Sequence, residues 1–197
     1  MREVLNETAF QKSAYEWFRI RTFYRLITHL FYNTKAYDEA CALAGQAFQE
    51  FPDHVNICCL YGISMYNQGQ YNNALDAFKK AEKLIADDKI ENLSLDNVDT
   101  LCTYLAQTYI KLDNPDEALR YTVSYLQSHN KHENMLKLCL RIFRSKGSPE
   151  NTVEFLSGIY NYKNIHDKML LLRCAKDIGD IELAKLFIQK ITPEELR

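Results

Sequence analysis

VNICCLYGISMYNQGQYNNALDAFKKAEKLIADD, running from Val55 to Asp88, decides the fold. Apolar residues recur at helical intervals from Asn56 to Asn67 and again from Asn73 to Leu84. Between them Gln68-Gly69-Gln70 is a short breaker, so one helix stops there and the next folds back on it. Gly62 and Ala74 are small, as expected where two helix backbones approach closely. Neither helix buries its apolar face alone, so the hairpin needs a neighbour.

The neighbours lie on both sides in the same register. Ala74 recurs as Ala40, Ala118, Thr152 and Ala184. The step from Ala40 to Ala74 is 34 residues, and Ala118 to Thr152 is again 34. Thr152 to Ala184 is 32, and Ala74 to Ala118 is 34 plus an insertion of ten. A period of this size is the mark of one helical hairpin stacking on copies of itself.

These residues resemble the tetratricopeptide repeat (TPR) pattern W-x2-L-G-x2-Y…A-x3-F…P. Tyr61-Gly62 fills the L-G pair, Met65-Tyr66 covers the aromatic place, Gly69 and Tyr71 mark the turn, and Ala74-x3-Phe78-x2-Ala81 carries the second helix. Cys58 stands where the family usually has Trp. The resemblance implies an all-α, right-handed superhelical solenoid of antiparallel hairpins, about five units in 21–191. The repeats fall at 21–54, 55–88, 99–132, 133–164 and 165–191, with the insertion at 86–95. Pro115 is expected in the first turn of a second helix, where its missing N–H does little harm.

Both edges of the array invite a reading. Residues 1–20 are expected to form an N-terminal capping helix, either separate or continuous with repeat one, because no breaker follows it. Its aromatics, Phe10, Tyr15, Trp17 and Phe18, serve either as an end cap or as a self-association surface for a homodimer. At the other end Thr192-Pro193-Glu194-Glu195 is a helix-start signal, so 192–197 reads as the start of a further helix of a longer, truncated solenoid, or as a stub.

Composition narrows the class. The chain has 197 residues, 47% hydrophobic, with a formal net charge of −2, which argues against a general nucleic-acid binder. No apolar run is long enough for a membrane span, and no secretory leader is visible, so the expected location is cytoplasmic or nuclear. Cys41, Cys58, Cys59, Cys102, Cys139 and Cys174 show no metal-type spacing and fall in expected helices, where a thiol packs as a small hydrophobe. His129-x2-His132 with Glu133 reads as a surface turn rather than a metal site. There is no phosphate loop, nucleophile elbow or H-E-x-x-H, so neither catalysis nor a cofactor is expected.

In the TPR family the first helices line the concave face, and the resemblance places specific residues there. They are Arg25, His29 and Tyr32 in repeat one, Asn56, Cys59, Ile63 and Tyr66 in repeat two, and Thr100 and Gln107 in repeat three. Lys137, Arg141 and Arg144 in repeat four and Arg173 and Lys176 in repeat five add a cluster of cations. Such a cluster favours an acidic segment of a partner protein, a peptide or a helix, through charge-assisted hydrogen bonds. The carboxylate clamp of chaperone-binding TPR proteins is half absent. Lys137 and Arg141 match its last pair, but Cys59, Ile63 and Tyr104 stand at its other places. The expected function is a non-catalytic interaction scaffold, within or outside a larger assembly. A chaperone adaptor and an RNA-binding helical-repeat protein are the alternatives.

Overall fold

The computed structural model describes the backbone of residues 2–87, 95–129 and 131–190, with side chains from 13 to 87, 98 to 129 and 131 to 190. Among the described residues every regular element is helical. The first hairpin is α1 (Arg2–His29), a π-helical turn (Leu30–Thr34) and α2 (Tyr37–Glu50). Then come α3 (Val55–Asn67) with α4 (Tyr71–Ala86), and α5 (Leu95–Lys111) with α6 (Pro115–Ser128). The last two hairpins are α7 (Glu133–Lys146) with α8 (Pro149–Leu156), and α9 (Ile165–Asp177) with α10 (Ile181–Gln189). No boundary falls at residue 20: α1 continues through it, because nothing from Ala14 to Thr28 breaks a helix. Residues 88–94 of the insertion and the helix-start signal at 192–195 lie outside the described residues.

A left-handed residue closes four of the five hairpin turns, each five positions before the recurring small residue. Lys35 (φ 57°) precedes Ala40, Gly69 (φ 74°) precedes Ala74, Asp113 (φ 55°) precedes Ala118, and Gly179 (φ 79°) precedes Ala184. At three of them the next amide reaches back to cap the first helix: Gln70 to Met65 at 2.9 Å, Asn114 to Tyr109 at 2.9 Å, and Asp180 to Ala175 at 3.0 Å. This is the Schellman ending, which satisfies carbonyls the helix leaves open. The first turn differs. Its π-helical stretch inserts one residue, so Ala36 N–H bonds Leu30 O at 3.0 Å, six residues back. The fourth turn uses Gly147 in extended backbone, followed by Ser148, whose hydroxyl accepts from Asn151 N–H at 3.3 Å and caps α8.

The second helices present small residues to the first ones. Ala40, Ala74, Ala118 and Thr152 are fully buried. Ala184 is only half-buried, and its neighbour Leu183 takes the core position on α10. Gly62 is buried on α3 for a reason the sequence did not specify. A Cβ there would lie 2.5–2.9 Å from ring atoms of Phe78, so the close partner is the aromatic ring on α4 and not the α4 backbone. Phe78 itself is fully buried.

The chain divides into two compact units, 1–104 and 105–197. In the first, α1 packs on α2, α2 on α3 and α3 on α4, with Phe48 stacked on Tyr61 at 4.3 Å between ring centres. Lys80 lies over that Phe48 ring and pairs with Asp53 at 3.0 Å. In the second unit α7 is the central helix, packed on α6, α8 and α9, and its Leu136 and Leu140 are fully buried. Side chains cap the helix starts of the second unit: Asn114, His132, Ser148, Asn164 and Asp180 each accept a backbone N–H. Such caps are worth about 1 kcal/mol each.

Gly62→Ala is expected to lower unfolding free energy by about 1–3 kcal/mol through overpacking against Phe78. Combining it with Phe78→Leu should recover part of that loss relative to the sum of the single changes. Urea unfolding of the four proteins checks this, and strict additivity would contradict the contact.

Candidate functional site

In the first unit α1, α3 and α5 contribute side chains to one shallow notch. Tyr24, Thr28 and Tyr32 come from α1 and its π-helical turn, Asn56, Cys59, Leu60 and Ile63 from α3, and Thr100 from α5. Its room is about 80 Å³. Small-molecule sites run to roughly 300–1,000 Å³, so this is a seat for one side chain and not for a drug-sized ligand. The floor is apolar, since Cys59, Leu60 and Ile63 are buried. No lining residue carries a formal charge. Thr28 donates its hydroxyl to Tyr24 O at 2.7 Å.

Three further tyrosines of this unit pack on one another. Tyr66 meets Tyr71 and Tyr104 edge-on at 5.4 and 5.3 Å, and Tyr104 also lies against Phe78 at 5.9 Å. Burial raises the Tyr66 and Tyr104 hydroxyls above the usual phenol range, and neighbouring tyrosines add to it. They stay neutral hydrogen-bonding groups on an aromatic wall. Of the residues expected to face a partner, Tyr32 is 65% exposed, Arg25 and His29 are exposed, and Asn56 and Tyr66 are half-buried. Tyr24, Thr28 and Leu60 also line the notch, although they lie outside the groove positions that the family resemblance implies.

The second unit holds Gln107, half-buried on α5, and the five cations. The cations do not form an open basic patch. Lys137 pairs with Asp177 at 2.6 Å and lies 3.9 Å from Glu133. Arg173 pairs with Glu133. Arg144 bonds Asp180 at 2.5 Å and Glu182 at 3.3 Å, and donates to the Gly147 carbonyl at 2.8 Å. These contacts make a ladder from α7 to α9 and to the start of α10. Asp180 has two tasks, because its other oxygen accepts from Leu183 N–H at 3.0 Å and caps α10. Arg141 and Lys176 are exposed and make no ion pair among the described residues. The sequence counted cations along the first helices and gave no weight to carboxylates on the neighbouring hairpin. The only clue was their spacing, with Asp177 forty residues after Lys137.

The cysteines are packing residues. All six are free, and all but half-buried Cys102 are buried. Burial pushes Cys58, Cys102, Cys139 and Cys174 up to about 11 and Cys59 to about 12, which disfavours the thiolate needed for nucleophilic or metal chemistry. His129 stacks on Tyr125 at 4.5 Å, while His132 meets the same ring edge-on and uses Nδ1 to accept from Met135 N–H at 3.2 Å. No cluster of potential metal ligands occurs among the described residues.

Known proteins supply the architecture's name. No protein-family model and no curated protein matches the sequence. Among solved structures the chain is similar to YrrB, a TPR protein with an unusual peptide-binding site, at 15% identity and a TM-score of 0.54, covering 85% of this chain and 82% of that one. It is similar to MamA AMB-1 at 16% identity and a TM-score of 0.53, covering 88% and 90%. MamA MSR-1 aligns at 18% identity and a TM-score of 0.51, covering 86% and 92%. At these identities the likeness establishes the fold, an all-α TPR-like solenoid of helix hairpins. No helix among the described residues is long and apolar enough to cross a membrane.

The ladder in the second unit carries a pH dependence. The hydrogen bond from Lys137 holds the Asp177 carboxyl below the usual carboxylate range. A carboxylate with a depressed folded-state value stabilises above its unfolded value, about 3.9, and loses that contribution as pH falls through the folded value. Urea midpoints are therefore expected to fall as pH drops below about 4, and to fall less in Asp177→Asn. Identical acid profiles for the two proteins would show that the pair contributes nothing.

Proposed function

We propose that this chain is a non-catalytic protein-interaction scaffold that holds a peptide or helix of a partner protein on the α1, α3 and α5 face of its first unit. One observation carries the reading. Three consecutive first helices converge there on an apolar-floored, uncharged notch with an exposed tyrosine at its rim. Folding alone does not require such a surface, because the buried sides of the same helices already form the core. Partner hot spots are typically single aromatic or aliphatic anchors seated in pockets of this kind. YrrB, which shares the fold, is itself a peptide-binding protein.

The acidic preference expected of the partner rests on a different cation from those in repeats four and five, namely Arg25. Arg25 and His29 are exposed beside the notch, whereas Lys137, Arg144 and Arg173 are held by carboxylates. The same pairing weakens the chaperone-adaptor reading, since Lys137 belongs to its remaining clamp pair. An RNA-binding role finds little support on a face whose notch carries no cation. The scaffold acts in the cytoplasm or nucleus, a setting that suits six free cysteines.

Filling the notch tests the proposal. Thr100→Phe is expected to weaken capture of cross-linked partners from the protein's own cell extract by about tenfold, with helicity unchanged. Arg141→Glu with Lys176→Glu, in the second unit, is expected to leave capture within about twofold. The reverse pattern would move the binding surface to the second unit.

A further inference from the structure

We propose that the turn between α6 and α7 is an acid-sensitive joint, in which a proton taken up by His132 releases the N-terminal cap of α7. The joint lies wholly within the second unit and does not depend on where a partner binds. It is built on two histidines and one ring. Tyr125, in the last turn of α6, is buried. His129 stacks on its face at 4.5 Å and 17°, and His132 meets it edge-on at 5.4 Å and 84°. The backbone closes the same turn, with His132 N–H donating to His129 O at 3.1 Å.

The two imidazoles stand at opposite kinds of helix end, so a proton has opposite consequences for them. His129 is the C-cap of α6. Its backbone N–H donates to Tyr125 O at 2.9 Å, and its Nδ1 lies 3.3 Å from the same carbonyl. A carbonyl only accepts, so Nδ1 carries hydrogen there in the neutral ring and in the cation alike. The negative end of the α6 dipole and the tyrosine face both favour a cation at this place. His132 is the N-cap of α7, and its Nδ1 accepts from Met135 N–H at 3.2 Å. That bond needs a bare Nδ1. A protonated ring carries hydrogen on both nitrogens and accepts nothing, and its charge then sits at the positive end of the α7 dipole. Met135 is fully buried, so water does not readily replace the lost acceptor.

The surrounding charges give such a cation little support. Glu133, the carboxylate next along the chain, is taken by Arg173 of α9 and has Lys137 3.9 Å away. Lys137 in turn pairs with Asp177 of α9. Lys131 adds another positive charge in the turn itself. The end of α6, from Thr122 to Ser128, contains no formal charge. On α8, Glu150 lies by Arg144 toward the far end of α7, and Glu154 is exposed. The part of α5 in this unit carries only Lys111, at its hairpin end.

The stabilisation therefore belongs to the neutral His132 ring. It is present above about 6.5, the ordinary imidazole value, and is lost as the ring takes a proton below it. Met135 and Leu136, in the turn that would loosen, are fully buried core residues of the unit's central helix. The Lys137–Asp177 pair answers acid only below about pH 4, so the two effects separate.

Amide hydrogen exchange on the full chain, read by NMR and referred to the free-peptide rate at each pH, tests the joint. Between about pH 7.5 and about pH 5.5 the protection of the Met135 amide is expected to fall at least about fivefold in the wild type. It is expected to stay within about twofold in His132→Asn, because asparagine caps a helix without titrating. The Leu183 amide, capped by Asp180 in the same unit, is expected to stay within about twofold in both proteins. His129→Gln is expected to keep the wild-type loss at Met135, since that ring is not the cap. Constant Met135 protection in the wild type overturns the proposal, and so does an equal loss in His132→Asn. An equal loss at Met135 and Leu183 also overturns it, because the unit then opens as a whole and not at this turn.

Discussion

The contact between the two helices of a hairpin governs everything else in this molecule. A helix can lie close against its partner only where one of them offers a small residue, and the recurring Ala40, Ala74, Ala118 and Thr152 are that offer. Before Ala40, Ala74 and Ala118 a left-handed residue five positions earlier sets the direction from which the second helix returns, while the fourth turn uses extended Gly147 and the Ser148 cap. Together these features fix the hairpin before any stacking takes place. In the second hairpin Gly62 on the first helix is also needed, because it admits the ring of Phe78 and a methyl group there would clash with it. Phe78 then reaches Tyr104 on α5, so a contact inside one hairpin also orders the wall of the neighbouring notch.

Because the buried sides of the helices do the folding, the residues on the open side of the first helices are free to differ. The two units treat them differently. In the first, the residues that line the notch are tyrosine, asparagine, threonine, cysteine and two aliphatic residues, which leave it uncharged, with Arg25 and His29 exposed beside it. In the second, comparable positions carry Lys137, Arg144 and Arg173, each matched by a carboxylate on α7, α9 or the start of α10. Exposed ion pairs contribute little individually, and the half-exposed Arg173–Glu133 pair is of that kind. Arg144 with Asp180 is the most enclosed rung, and it is joined to a helix cap and to the Gly147 carbonyl. Its role is best read as fixing the register of neighbouring helices.

This division explains what the sequence made legible. Period, helix pairing and the buried small residues are properties of each repeat taken alone, and a single chain states them in its spacing. The notch was partly legible, since Tyr32, Asn56, Cys59, Ile63 and Thr100 occupy the family's groove places. Tyr24, Thr28 and Leu60 join it from an adjacent turn, because the notch lies between helices and gathers residues from the flank of each. The ladder was not legible, because it depends on which charges meet across forty residues of chain. Counting cations on one face cannot reveal that their counter-charges stand on the next helix. The half-buried Ala184 belongs to the same class, for a buried position needs a neighbour as well as a register.

The first helix and its π-helical turn carry large apolar residues in two sets. Phe23, Ile27 and Phe31 turn inward, while Tyr15, Phe18 and Tyr32 stay in water. The π-helical turn inserts one residue, lets Phe31 enter the core, and leaves Tyr32 outside at the rim of the notch. A regular α-helical ending there would rotate one of these two residues away from its place, so the irregular turn lets one short segment fill the core and still leave a tyrosine exposed beside the notch.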